Sequence, residues 1–354
     1  MKSALLSIVV CLVSHAVTQG RDPFVYVSLA KENRIVTYQM TGDDGKLTLI
    51  DSLAVEGGPG ALAFHPSRPI LFASIRTVGN LASFRIDELT GKLTKINQVS
   101  AGADPAYVAV DKSGKYLLSA YYRAAKVLVH AITNEGAIGE ELQSISTDER
   151  AHAIVSDREG RYWFVPHTRP NAIFQFRLDE ETQRLVACDP PKLQREPNSG
   201  PRHLWFHPSL DVAYTSDEQG RSVSAYRFDR DKGTLDLRQT LSTLPADYDR
   251  RQSGSTSDIE VHPSGRYVYV ANRGHDSIAR YRVLPKNGML EKLGNTASEQ
   301  TTRSFNIDPS GDFLIAAGQE SGKLAVFRID LSNGDLQRVQ TVLVGDSPWW
   351  VLIR

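Results

Sequence analysis

The chain has 354 residues, of which 41% are hydrophobic and 23% are charged, a composition that is ordinary for a globular protein. Lys and Arg together number 41, as do Asp and Glu, so no global charge draws the protein to nucleic acid or to an anionic membrane, and neither is expected as a partner. Only two cysteines occur, Cys11 and Cys188, and Cys11 lies in a segment expected to be removed, which excludes a disulfide framework and a cysteine-rich metal site.

The first residues follow the pattern of an export signal. Lys2 gives a positive start, the run ALLSIVVCLV is apolar, and small residues suited to cleavage stand at Ala16 and Gly20. The run is too short to span a bilayer. We therefore predict a signal peptide over residues 1–20, a single domain over residues 21–354, and export to the periplasm or beyond the cell. The alternative interpretation of this segment is a first β-strand.

One structural unit recurs through the rest of the chain: an apolar strand, a tight turn and a second apolar strand. The copies follow one another at intervals of 46 to 55 residues. A strand-rich period in the forties is typical of a β-propeller with one four-stranded blade per repeat. The recurring turns begin at His65, Asp111, Asp157, His207, His262 and Asp308.

Each copy also has a second turn, rich in Asp, Asn and Gly, as in TGDDGKL, DELTGKL and DLSNGDL. These residues supply the backbone angles that tight hairpins need. A seventh unit begins at Phe24 without a preceding strand, and the chain ends with DSPWWVLIR, which resembles the start of a blade. We therefore predict an all-β, seven-bladed β-propeller with four antiparallel strands per blade, its ring closed by the C-terminal strand. Such closure removes exposed sheet edges.

The strands of a blade, named A to D from the axis outward, alternate in direction. All A–B turns must therefore lie on one face of the disc, while the loops before strand A and after strand B share the other face. The A–B turns have repetitive turn chemistry, whereas the other face collects ionisable residues. These are His152, Arg202, His203, Asp258 and Arg303 before strand A, and Arg123, His167, Glu218, Asn272, Arg273, His275 and Glu320 after strand B.

The chemistry of this face is that of acid–base and anion-binding groups. The chain has no Gly-x-Ser-x-Gly elbow, no P-loop and no His-Glu-x-x-His, so a Ser or Cys nucleophile is not expected. Glu218 and His152 suit general acid or base catalysis. Arg202 and Arg273 suit a carboxylate, a phosphate or an oxyanion. The set fits hydrolysis or closure of a lactone ring that carries an anionic group. No dense carboxylate cluster is visible, and we expect neither a metal nor a cofactor.

Three longer phrases carry a family resemblance: GPRHLWFHPS, VHPSGRYVYVANRGHDSIARYRV, and SFNIDPSGDFLIAAGQESGKLAVFRI with the later DSPWWV. They resemble the seven-bladed lactonase family, which holds propeller-type 6-phosphogluconolactonases and fungal carboxymuconate-cyclising enzymes. The resemblance covers nearly all of the chain after Phe24. Two positions depart from the family pattern, Ala153, where a small polar residue often follows the histidine, and Asp217, where Asn more usually precedes the glutamate. The resemblance implies that the catalytic residues are His152, Arg202, Glu218 and Arg273.

The same face offers further substrate-binding candidates: His203, Asp258, Asn272, His275 and Arg303. Three functions remain open. The first is hydrolysis of 6-phosphogluconolactone, a pentose-phosphate reaction, or of a related aldonolactone. The second is lactonisation of a muconate-like diacid, and the third is a non-catalytic exported propeller that binds glycan or protein. We favour the first, because a pure scaffold gives no reason for the four-residue set. We expect a small-molecule lactone as the partner and a monomer in solution.

Overall fold

The computed structural model describes residues 22–179, 181–249 and 251–354. The export signal predicted over residues 1–20 lies outside the described residues. Within them the chain forms β-strands and one short 3₁₀ helix, Arg76–Val78. None of the helical structure in these ranges is long and apolar enough to cross a membrane.

The strands of the described ranges form seven four-stranded antiparallel sheets, each of which is one blade. Blade 1 consists of β28 (Pro348–Ile353), β1 (Phe24–Leu29), β2 (Arg34–Met40) and β3 (Leu47–Ala54). Blade 2 consists of β4 (Pro59–Phe64), β5 (Ile70–Ile75), β6 (Asn80–Ile86) and β7 (Leu93–Ser100). Blade 3 consists of β8 (Pro105–Val110), β9 (Tyr116–Tyr121), β10 (Lys126–Ile132) and β11 (Ile138–Ser146).

The remaining blades follow in chain order. Blade 4 consists of β12 (Val155–Ser156), β13 (Tyr162–His167), β14 (Ala172–Asp179) and β15 (Arg184–Gln194). Blade 5 consists of β16 (Pro201–Phe206), β17 (Val212–Asp217), β18 (Ser222–Asp229) and β19 (Thr234–Ser242). Blade 6 consists of β20 (Ser255–Val261), β21 (Tyr267–Arg273), β22 (Ser277–Val283) and β23 (Leu290–Ala297). Blade 7 consists of β24 (Thr302–Ile307), β25 (Phe313–Gly318), β26 (Lys323–Ile329) and β27 (Leu336–Leu343).

The ring closes through the last strand of the chain. β28 pairs antiparallel with β1, so that Val351 lies opposite Val27 and Leu352 opposite Tyr26. The C-terminal strand is therefore strand A of the first blade. The predicted fold class and the predicted closure are both confirmed.

The repeated A–B turn has a packing role between blades. In blade 6, His262 Nδ1 accepts a hydrogen bond from the backbone N–H of Ser264 at 3.1 Å, and Nε2 donates to the carbonyl of Gly311 in blade 7 at 2.8 Å. His207 makes the equivalent contact to Gly265 of blade 6 at 2.9 Å. Because both ring nitrogens are used, each histidine ties its own turn to the next blade. The motif on this face is thus structural.

The strand register fixes which residues meet at the opposite face. Pro201, at the start of strand A in blade 5, lies opposite Asp217, at the end of strand B. In blade 6 Thr256 lies opposite Asn272 in the same way, and Arg273 is the next residue of the chain. The loops before strand A and after strand B therefore surround one mouth of the central channel, as the sequence predicts.

Candidate active site

Close to this mouth, strand A of several blades contains a β-bulge, in which strand A has one more residue than the strand B segment that it pairs with. In blade 5 Pro201 pairs with Asp217 and His203 pairs with Ser216, which leaves Arg202 without a cross-strand partner. Such a bulge interrupts the alternation of side chains and re-aims the extra residue. The equivalent extra residues in three other blades are His152, Arg303 and Trp349.

A second recurring position is the residue directly after the strand B partner of the last cross-strand pair before the bulge. In blade 5 this residue is Glu218, which follows Asp217, and its equivalents in other blades are Arg273, Arg76 and Tyr122. Together the two positions surround a cavity of about 520 Å³. Its ionisable and aromatic lining residues, among those the structure describes, are Arg76, Asp104, Tyr122, Arg123, His152, Glu218, Arg273, Arg303 and Trp349.

The carboxylate of Glu218 is held between two guanidinium groups. Arg273 Nη2 donates to Glu218 Oε1 at 3.0 Å, and Arg202 Nε lies 3.6 Å from Glu218 Oε2. Burial on its own raises the pKa of Glu218, but the charges of Arg202 and Arg273 outweigh burial and hold this pKa below its ordinary value. Glu218 is therefore ionised at neutral pH. Arg273 also donates from Nη2 to the carbonyl of Thr256 at 3.0 Å, which fixes its orientation.

Arg202 does not reach the cavity. Its side chain is buried beneath Glu218, and the residue is only 1% exposed. Nη1 donates to the carbonyl of Ser257 at 2.5 Å and lies 3.2 Å from His203 Nε2. Burial is the main cause that lowers the pKa of Arg202, to about 10, so the group remains a cation at neutral pH. Its charge therefore acts on the site from below rather than by contact with a ligand.

The ring of His152 lines the cavity. The residue is 6% exposed, and its Nδ1 has no hydrogen-bond partner among the described residues. Its ring packs edge-on against Tyr122, with ring centroids 5.6 Å apart. Burial and then the charge of Arg202 lower the pKa of His152 well below its ordinary value of 6.5. The imidazole is therefore neutral at neutral pH and has a lone pair to offer.

On the other side of the cavity, the positive charges of the guanidinium groups have few carboxylates near them. The Arg303 guanidinium lies over the ring of Trp349 at 3.9 Å, and Arg76 lies over the same ring at 5.5 Å. Arg76 Nη2 lies 3.6 Å from Asp104, whereas the Nε of Arg303 has no hydrogen-bond partner in the described part of the chain. Burial and neighbouring arginines lower the pKa of Arg303 well below its ordinary value. A cationic, desolvated group of this kind favours an anionic ligand.

Besides Arg202, four predicted substrate-binding residues lie away from the cavity lining. His203 and Asp258 lie deeper in the channel and are 4% and 5% exposed. Asn272 is buried and donates to the carbonyl of Thr243 at 3.3 Å. His275 packs against the ring of Tyr248, with ring centroids 4.9 Å apart. Of the predicted substrate-binding residues, the structure brings only Arg303 to the cavity.

The loop after Arg273 has a structural explanation. Gly274 has a φ of +87°, and a Cβ at this position would lie 2.7 Å from the carbonyl oxygen of Ser253. Asp276 Oδ1 accepts hydrogen bonds from the N–H groups of Gly274 at 3.0 Å and Thr301 at 2.8 Å, which ties the loop to blade 7. The residues after Arg273 thus hold the loop against its neighbours, while Arg273 alone enters the cavity.

The two departures from the family pattern are accommodated away from the cavity. Asp217 is fully buried and accepts hydrogen bonds from Thr215 at 2.7 Å and Ser224 at 2.5 Å. The Nη1 of the buried Arg195 lies 3.7 Å from the same carboxylate, which supplies a counter-charge. Ala153 is fully buried. Neither residue lines the cavity, so the departures do not alter its lining.

Several lining residues were missed by sequence reasoning. Arg76, Tyr122 and Trp349 occupy the two recurring positions in blades 2, 3 and 1, but we did not single them out as site residues. Aligning the repeats on the bulge residue would have identified them, since Trp349 stands where Arg202 and Arg303 stand in blades 5 and 7. No group of three His, Cys, Asp or Glu residues in the described ranges is placed to hold a metal ion.

Comparisons with known proteins agree with this fold. The family model described as a lactonase with a 7-bladed beta-propeller matches residues 18–353. A 6-phosphogluconolactonase of Pectobacterium carotovorum is 32% identical over 329 residues, covering 93% of this chain and 98% of that protein. A 6-phosphogluconolactonase of Yersinia pestis is 30% identical over 330 residues, covering 93% and 97%. Among solved structures, the periplasmic gluconolactonase of Pseudomonas aeruginosa superposes with a TM-score of 0.86 at 28% identity, covering 94% of this chain and 98% of that one.

Proposed function

The chain belongs to the seven-bladed β-propeller lactonase family, and from this premise we propose that it hydrolyses the ring ester of an anionic sugar lactone, with 6-phosphogluconolactone as the representative substrate. One observation carries the proposal. A neutral imidazole, that of His152, lines the same cavity as the ion pair of Glu218 and Arg273. Hydrolysis of an ester needs these two elements together, an acceptor for the proton of water and a cation near the developing oxyanion.

The proposed reaction assigns one role to each of these groups. Water adds to the lactone carbonyl and gives a proton to the imidazole of His152, while the guanidinium of Arg273 stabilises the negative charge on the carbonyl oxygen. The tetrahedral intermediate then collapses, the bond between the carbonyl carbon and the ring oxygen breaks, and the leaving oxygen takes the proton back from His152. Glu218 orients Arg273 through the hydrogen bond to its Oε1. The product is an open-chain hydroxy acid, which ionises at neutral pH.

The substrate class follows from the charge of the cavity. Among the residues that the structure describes, four arginines line the cavity against two carboxylates: Arg76, Arg123, Arg273 and Arg303 against Asp104 and Glu218. An anionic group on the lactone, placed between Arg303 and Arg76, offsets this excess. The Pectobacterium and Yersinia relatives are named for a phosphorylated lactone, in keeping with this assignment.

We propose in addition that the protein acts after export. The apolar segment over residues 1–20 follows the signal pattern, and the related gluconolactonase of Pseudomonas aeruginosa is described as periplasmic. Cell fractionation with N-terminal sequencing of the mature protein tests this. An unprocessed protein in the cytoplasmic fraction contradicts it.

A pH-stat assay tests the lactonase assignment, because each turnover releases one acid. We expect the wild-type protein to accelerate opening of 6-phosphogluconolactone well above the spontaneous rate, and to act less efficiently on gluconolactone, which lacks the anionic group. Glu218→Gln removes the carboxylate that orients Arg273, and we expect roughly a 10- to 100-fold loss of kcat/KM from misplacement of the catalytic group. Equal rates for the variant and the wild type remove Glu218 from the site. A wild type that opens no lactone favours the non-catalytic binding function.

A further inference from the structure

A chain of hydrogen bonds lies directly beneath the cavity. His203 Nδ1 is 2.7 Å from Asp258 Oδ1, and His203 Nε2 is 3.2 Å from Arg202 Nη1. A guanidinium has only donors, so Arg202 donates and Nε2 accepts. Burial lowers the pKa of His203 to about 4, so the ring is neutral at working pH. Its single proton is therefore on Nδ1 and is donated to Asp258.

The imidazole is fixed in place from several sides. The rings of Tyr107 and Trp350 pack against His203, with ring centroids 5.5 and 5.6 Å away. Asp258 Oδ2 accepts a hydrogen bond from the N–H of Phe305 at 3.2 Å, so both carboxylate oxygens are in use. Neither His203 nor Asp258 lines the cavity that holds Glu218. An effect of these two residues on that site therefore passes through the side chains that lie between them and the cavity.

We propose that Asp258 and His203 are positioning residues that act through Arg202: Asp258 selects the tautomer of His203, and the resulting acceptor nitrogen holds the Arg202 guanidinium beneath Glu218 and His152. This inference rests on the proposed function, since the site it serves is the one assigned there. The series of side-chain contacts leads from Asp258 through His203 and Arg202 to Glu218. Each contact joins buried or half-buried groups.

Arg202 is placed to act on both reacting groups. Among their charged neighbours it is the strongest influence on the pKa of His152 and on that of Glu218, and it lowers both. Other charged or titratable groups also face this region. Those around His152 are His203, Arg303 and Arg76, those around Glu218 are Arg273 and Arg303, and those around Arg202 itself are Arg273, Glu218, Asp258 and Arg76.

Asp258→Asn tests the tautomer argument. Asparagine has one acceptor oxygen where aspartate has two. If that oxygen accepts from the N–H of Phe305, the amide NH₂ faces His203 Nδ1, and the ring proton must move to Nε2. The proton then points at Arg202, which loses its acceptor and moves away.

The direction in which the acidic limb of kcat/KM shifts distinguishes this proposal from an effect of removing the negative charge of Asp258 alone. Removing a negative charge by itself lowers the pKa of nearby groups and moves the acidic limb of kcat/KM to lower pH. Displacing Arg202 removes a positive charge from His152 and Glu218, which raises both pKa values and moves the limb to higher pH. The two explanations therefore predict opposite shifts.

The experiment compares pH profiles for 6-phosphogluconolactone hydrolysis with an NMR titration of His152 in the free protein. For Asp258→Asn and His203→Phe we expect about a 100-fold loss of kcat/KM, as for a misplaced catalytic group, with the acidic limb and the pKa of His152 both raised. His203→Gln should retain more activity than His203→Phe, because its amide oxygen can accept from Arg202.

Glu260→Gln is the matched control. Glu260 lies in the same strand, is 5% exposed, and accepts a hydrogen bond from the N–H of Ile307 in the next blade, as Asp258 does from Phe305. Glu260 is not part of the series of contacts from Asp258 to Glu218. We therefore expect the pH profile of Glu260→Gln to match that of the wild type, even if the Tm of this variant falls.

Three results overturn the proposal: an acidic limb that stays or moves to lower pH in His203→Phe, the same upward shift in Glu260→Gln, or no difference between the two His203 variants. If the wild type opens no lactone, the function in the preceding subsection fails. The titration of His152 still decides the positioning role in that case.

Discussion

Replacing His152 with alanine is expected to lower kcat for lactone hydrolysis by about 10²- to 10⁴-fold, the usual contribution of a positioned general base. The protein should still fold, because the same bulge position is occupied by small residues in other blades, among them Ala106 in blade 3. Steady-state kinetics in the pH-stat give kcat, and thermal unfolding gives the accompanying change in Tm. A loss below 10-fold with an unchanged Tm excludes His152 as the proton acceptor.

The pKa of His152 also determines how kcat/KM of the wild type should depend on pH. The base must be neutral to accept a proton, and burial together with Arg202 lowers the pKa of His152 well below 6.5. The acidic limb of kcat/KM should therefore lie below pH 6.5, and activity should be fully retained at that pH. A limb centred at or above pH 6.5 contradicts this environment for His152.

Replacing Arg273 with alanine is expected to lower kcat by about 10²- to 10³-fold, the range seen when one oxyanion donor is removed. The substitution also releases Glu218, whose Oε1 accepts from Arg273, so the pKa of Glu218 should rise. Arg273→Lys should recover only part of the activity, since an ammonium is a point charge without the planar fork of a guanidinium.

Arg282→Ala is the control for this variant. Arg282 lies in the same blade and pairs with Glu291 at 3.3 Å, with about half of each side chain exposed. A surface ion pair of this kind contributes little, so kcat and Tm should stay near the wild-type values. Equal activity of Arg273→Ala and Arg282→Ala removes Arg273 from the reaction.

The fold was predictable from the sequence because its signals are local and repeated. The turns at His207 and His262 recur since each histidine both closes its turn and bonds to the next blade. The closing strand was recognisable because PWWVLI at Pro348–Ile353 has the same apolar pattern as other A strands. Strand direction then assigned the loops to two faces without any knowledge of side-chain contacts.

The site was predictable only in part because its position depends on a bulge. The sequence does not state which of two neighbouring residues is the extra one, and this decides whether a side chain lines the mouth or the deeper channel. Arg202 and His203 are adjacent, yet one lies beneath Glu218 and the other in the deeper channel. His275 looked as promising as Arg273, but its ring packs on Tyr248 outside the cavity.

The most direct test of the central claim is a crystal structure of the protein with 6-phosphogluconate, the product of the proposed reaction. We expect the product in the cavity at the mouth, with its carboxylate beside Arg273 and His152 and its phosphate between Arg303 and Arg76. The opposite end of the ring holds a second cavity of about 380 Å³, lined in part by Trp350, Glu260 and Asn306. Product bound there, or no product bound at the mouth, would contradict the assignment of this site to lactone hydrolysis.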